Sequence, residues 1–124
     1  MKSSLQLILL GLLLTTGFVH AHAFLDTSEP AVGCTCAVPP SQVKIWFTEK
    51  LCHEGSAIQV FDATGREVDR KDVKVSDENE LQMAVSLPKL PPGTYKVVWS
   101  AIALDTHHTH GTFPFTVTPV EGSN

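Results

Sequence analysis

Thr94-Tyr95-Lys96-Val97-Val98-Trp99-Ser100-Ala101-Ile102 is the longest run in this chain that reads as one element, and it reads as a β-strand. The proline-rich break Leu87-Pro88-Lys89-Leu90-Pro91-Pro92-Gly93 precedes it, and prolines cannot continue a hydrogen-bonded ladder. A long strand has to find partners, and the sequence offers several. Thr112 to Thr118 follows it. Val43-Lys44-Ile45-Trp46-Phe47-Thr48-Glu49 alternates around β-branched and aromatic residues. Ala57-Ile58-Gln59-Val60-Phe61-Asp62 ends in a turn at Asp62-Ala63-Thr64-Gly65. Leu81, Met83 and Val85 alternate with Gln82, Ala84 and Ser86, and the polar stretch Glu67 to Val75 has room for one or two short strands. A first strand is expected over His22 to Ser28, with Pro30, Pro39 and Pro40 marking a long connection to the Val43 strand. No stretch holds a helical period.

About seven short strands with regular turn signals predict an all-β fold, a Greek-key β-sandwich of the immunoglobulin-like kind. The alternation assigns Ile45, Phe47, Val60, Val97, Trp99, Phe113 and Phe115 to the core. Trp46 and Val98 point the other way and are expected to be less buried.

Residues 1–21 read as a secretory signal peptide. Lys2 supplies the positive start, Leu5 to Leu14 is apolar apart from Gln6 and Gly11, and Val19-His20-Ala21 fits the small-residue cleavage rule. A cut after Ala23 fits nearly as well and would begin the protein at Phe24. The apolar run falls short of the roughly 20 residues of a membrane span, so stable membrane insertion of the mature chain is not expected. Cleavage after Ala21 leaves 103 residues, enough for one core. Residues 22–119 form that domain and residues 120–124 a frayed tail. Without Lys2 the chain carries 8 basic and 13 acidic side chains. That balance disfavours nucleic acid and anionic membrane surfaces and weakly attracts cations.

Side chains with chemistry gather at Ala103-Leu104-Asp105-Thr106-His107-His108-Thr109-His110-Gly111, between two strand candidates. Asp105 and His107 are two apart and project to the same side of an extended backbone. The bland alternative is a solvated polar turn. The start of the mature chain argues against it, because cleavage after Ala21 makes His22 the N-terminal residue. Its α-amine and ring Nδ1 can close one chelate ring on a metal. Two nitrogens from one residue, with imidazole and carboxylate from elsewhere, make a tetragonal N,O set. Cu(II) suits that geometry, whereas Zn(II) has no reason to prefer a near-planar set.

The mature start His22-Ala23-Phe24-Leu25-Asp26-Thr27-Ser28-Glu29-Pro30-Ala31 resembles the CopC family of periplasmic copper-binding proteins, whose members begin with His and carry a Ser-x-Pro-Ala run. Pro40 to Glu49 is similar to that family too, as is Tyr95-Lys96-Val97-Val98-Trp99 followed by Asp105-x-His107-x-x-x-Gly111-x-Phe113-x-Phe115-x-Val117. The likeness covers nearly all of the mature chain, in register. It implies a seven-stranded sandwich with a Cu(II) site formed by His22, Asp105 and His107. Glu49 matches a family acid beside the site, as a weak ligand or outer acceptor. The resemblance also implies copper sequestration, delivery or resistance rather than catalysis, and delivery to an inner-membrane copper transporter of the CopD type. A monomer is expected.

The chain departs from that family in three respects. Some members carry a methionine-rich loop for Cu(I), but the mature chain here holds only Met83, placed as a core side chain. His108 and His110 are additions, read as solvated or as a secondary transfer site. Cys34, Cys36 and Cys52 are an odd number for an oxidising compartment. A disulfide from Cys52 to Cys34 or Cys36 is expected, leaving one thiol over; a Cys34–Cys36 bridge would close a small, strained ring. The other reading is a thiolate site for Cu(I), with Cys52 next to His53. Two further function classes are open: a copper monooxygenase with an N-terminal histidine brace, and a metal-free structural sandwich.

Overall fold

The computed structural model describes residues 23–119; the expected leader 1–21, His22 and the tail 120–124 lie outside them. In chain order the strands are β1 (Leu25–Glu29), β2 (Thr35–Cys36), β3 (Gln42–Phe47), β4 (Ala57–Phe61), β5 (Lys74–Val75), β6 (Gln82–Ser86), β7 (Gly93–Ile102) and β8 (His108–Val117). They form two four-stranded sheets, β1-β3-β6-β5 and β2-β8-β7-β4. The chain crosses between sheets after β1, β2, β3, β4 and β6, and stays within one sheet only from β5 to β6 and from β7 to β8, as in a Greek-key sandwich. The described residues contain no helix, so none crosses a membrane as one.

Alternation decides which side chains go inside. In β3, Val43, Ile45 and Phe47 are buried while Lys44 and Trp46 are half-buried. In β7, Tyr95, Val97, Trp99 and Ala101 are buried and Val98 is half-buried. With Val60, Phe113 and Phe115 also buried, the core is the one expected from the sequence. Each large apolar side chain contributes about 1.5–3 kcal/mol on burial. Phe47 and Trp99 lock the sheets together in an edge-to-face contact, ring centroids 5.2 Å apart. That contact lies at the end of β3 and holds the residues that follow, Thr48 and Glu49, near the far end of β7.

Two expectations about strand extent are corrected. The first strand begins at Leu25 among the described residues, with a register irregularity between Leu25 and Thr27. The Glu67–Val75 stretch yields only the two-residue β5 and an isolated bridge between Phe61 and Glu67. Its backbone is held by other partners: the buried Asp69 carboxylate accepts the Val60 and Lys71 N–H groups, and Arg70 N–H donates to the Ser86 carbonyl. Such bonds compete with a ladder.

The expected disulfide from Cys52 is also corrected. All three cysteines are free. Cys36 pairs with Val117 at one end of β8, whereas Cys52 N–H donates to Ile102, which faces His108 at the other end. Nine residue steps of strand separate the two ends, about 30 Å at ~3.3 Å per residue. A disulfide needs Cα atoms within about 7 Å.

Candidate metal centre

β7 and β8 pair without interruption from Gly93↔Val117 to Ile102↔His108, so their connection is short and rigid. Ala103 N–H donates to the His107 carbonyl, Thr106 N–H donates to the Ala103 carbonyl, and Thr106 takes a left-handed φ of 71°. Asp105 and His107 therefore sit in a turn, not on extended backbone as their spacing suggests. They come together all the same. Asp105 Oδ1 accepts the His107 backbone N–H at 3.1 Å, and Asp105 Oδ2 lies 3.2 Å from His107 Nδ1. Both side chains remain open to solvent, His107 at 60% and Asp105 at 40% exposure, so an ion can reach them.

The segment after β3 runs past the same corner. Leu104 N–H donates to the Lys50 carbonyl and Cys52 N–H to Ile102, and Leu51 bridges Ala103. These contacts put Glu49 and Asp105 on the walls of one cleft of about 370 Å³. β1 runs antiparallel to β3, with Leu25 opposite Phe47, so the start of the described chain arrives here as well. Phe24 donates its N–H to Thr48 Oγ1 and accepts the Thr48 N–H on its carbonyl. Ala23 is fully buried, and its carbonyl accepts the Thr109 hydroxyl at 2.5 Å.

Of the expected ligands, the structure brings Asp105 and His107 into contact and has Glu49 line one cleft with Asp105; His22 lies outside the described residues. Among the described residues no three His, Cys, Asp or Glu side chains converge as a metal would need. His108 and His110 are exposed on β8. Sequence reasoning missed Thr48 and Thr109, which pin Phe24 and Ala23. For Thr109 a signal was present: a threonine between two histidines on a strand turns toward the opposite side from both.

Residues 25–118 match the family model of the CopC domain. The chain belongs to the CopC family. It is 32% identical over 111 residues to copper resistance protein C of Pseudomonas syringae pv. tomato, covering 85% of this chain and 87% of that one. It is 29% identical over 105 residues to protein YobA of Escherichia coli strain K12, covering 84% and 85%. Among solved structures it superposes on CopC from Methylosinus trichosporium OB3b with a TM-score of 0.77 at 28% identity, covering 83% of this chain and 100% of that one. PcoC, described as a methionine-rich copper resistance protein from Escherichia coli, gives a TM-score of 0.70 at 27% identity, covering 79% and 100%. CopC membership and the β-sandwich expected from the strand pattern therefore agree.

Proposed function

We propose that this CopC-family chain is a periplasmic Cu(II)-binding protein that sequesters copper or hands it on, and that it binds rather than catalyses. The ligands are His22, through its amine and ring, with Asp105 and His107; Glu49 serves as a weak ligand or outer acceptor. The observation that carries this reading is the anchoring of Ala23 to Thr109, beside the exposed Asp105–His107 pair. Ala23 is the covalent neighbour of His22, and consecutive Cα atoms lie about 3.8 Å apart. Asp105 and His107 offer one carboxylate and one imidazole, short of a four-donor set by two nitrogens. An N-terminal histidine supplies two. The mixed N,O donor set suits Cu(II). Copper is the cargo: the chain's residues bind it and release it. In this reading leader cleavage after Ala21 creates the site, and delivery goes to a CopD-type membrane transporter.

The test is a Cu(II) titration with EPR on protein that begins at His22, beside protein carrying one extra residue before it. The extension blocks the amine chelate without touching the core. Affinity is expected to fall strongly and the spectrum to change. Equal affinity with the same spectrum overturns the assignment and leaves the His107–His110 cluster as the copper site.

A further inference from the structure

We propose that Cys34 and Cys36 form a second metal site, a dithiolate for Cu(I), at the end of the sandwich opposite Asp105 and His107. The two residues are the ends of a Cys-Thr-Cys triplet. At two positions apart on extended backbone their side chains share a side, and the sulfurs lie 3.3 Å apart in an S–H···S contact. Their backbone is clamped to the C-terminal end of β8. Thr116 N–H donates to the Cys34 carbonyl, Thr118 N–H to the Cys36 carbonyl, and Gly33 N–H to the Pro114 carbonyl. The thiols are thus held together before any ion arrives. Both are half-buried, so an ion can reach them while part of the water is kept away.

The donors select the ion. Residues 31 to 41 carry no charged side chain and no histidine. Among the described residues no third His, Cys, Asp or Glu joins the pair. Zn(II) takes four ligands and Cu(II) prefers nitrogen and oxygen in a tetragonal set, whereas thiolates select Cu(I). A closed-shell monovalent ion accepts two sulfurs alone. That the ion is soft rests on the sulfurs; that it is copper rests on the copper reading above. A thioether alternative is absent among the described residues, where the one methionine, Met83, is fully buried. Binding needs no electron transfer: each thiol gives up its proton, both sulfurs bond the ion, and two protons go to solvent. A χ1 rotation of either thiol opens the gap the ion needs. Each thiol must lose its proton to bind, so protons compete with the ion and uptake strengthens as pH rises. Cys52, whose thiol donates to the Ala103 carbonyl at the other end, is the internal control.

The experiment is an anaerobic Cu(I) titration of reduced protein against a chromogenic Cu(I) chelator, followed by ultraviolet thiolate-to-copper absorption. Wild type and Cys52→Ser are expected to take up one Cu(I) per chain and gain the band. Cys34→Ser and Cys36→Ser are expected to lose the band and weaken about 100-fold or more. Alkylation of folded Cys52→Ser protein should do the same, which removes any dependence on how the serine variants fold. His107→Ala should keep Cu(I) uptake, and Cys34→Ser should keep the Cu(II) EPR signal, so the two sites fail separately. A wild type that takes no Cu(I) from the chelator, or serine variants that match it, overturns the proposal.

Discussion

The Thr109 hydroxyl donates to the Ala23 carbonyl across 86 positions of sequence. This bond fixes the start of the described chain against the strand that follows Asp105 and His107. A single hydrogen bond of this kind is worth about 0.5–1.5 kcal/mol net. Thr109→Val keeps the shape and removes the donor. We expect an intact fold and a Cu(II) affinity lowered about 2- to 10-fold, read by competition titration. Unchanged affinity would separate the placement of Ala23 from copper binding.

The proposed ligands differ from their neighbours in expected effect. His107→Ala and Asp105→Asn should weaken Cu(II) binding strongly and alter the EPR spectrum. His108→Ala and His110→Ala, changed on the exposed edge of β8, should do much less, and Glu49→Gln should have an intermediate effect. Imidazole ligates only when deprotonated, so affinity falls as the solution is acidified. A His108 variant as weak as the His107 variant would move the site along the strand.

Gly111 lies directly across the ladder from Trp99. A Cβ built on Gly111 would meet the indole Cζ2 at 2.7 Å. Trp99 is wedged against Phe47 in the core, so the ring cannot swing away freely. Gly111→Ala should destabilise by about 1–3 kcal/mol, as overpacking does. Chemical denaturation checks the magnitude, and tryptophan fluorescence reports whether the ring has moved.

Asp69 is buried and its carboxylate accepts two backbone N–H groups, those of Val60 and Lys71. Asp69→Ala strands the Val60 donor within β4. The expected loss is about 1–3 kcal/mol, with Asp69→Asn milder because its amide oxygen still accepts. Equal denaturation midpoints for wild type and the alanine variant would show that water replaces the carboxylate at no cost.

Hydrogen bonds from the Thr64 hydroxyl first, and then from the Arg66 and Thr64 N–H groups, hold Asp62 below its usual carboxylate range. A carboxylate whose folded pKa is depressed adds stability above its unfolded value, ordinarily about 3.9. That stability is lost as pH falls through the lower folded value. Asp62→Ala should therefore unfold earlier than wild type at neutral pH, and the difference should shrink once the pH drops below the ordinary carboxylate range. A difference that persists unchanged in strong acid would assign the effect to the turn's backbone instead of its charge.

Local pattern alone determined much of this protein. Alternation with period two named the buried residues of β3, β7 and β8, because side chains on a pleated strand must point to opposite faces. The clustering of residue types singled out Asp105 and His107 as candidate ligands, and the family resemblance added Glu49. The spacing argument expected Asp105 and His107 side by side on extended backbone; they are side by side, but in a tight turn where an Asx hydrogen bond draws them together. Tertiary structure alone decided which distant segments share an end of the sandwich. It set Glu49 across the cleft from Asp105, tied Ala23 to Thr109, and put Cys52 a full strand length from Cys36. These relations follow from strand order and direction, set by the packing of two sheets over one core. Separation along the chain says little about separation in space, so three cysteines in sequence looked ready to pair when only Cys34 and Cys36 are neighbours.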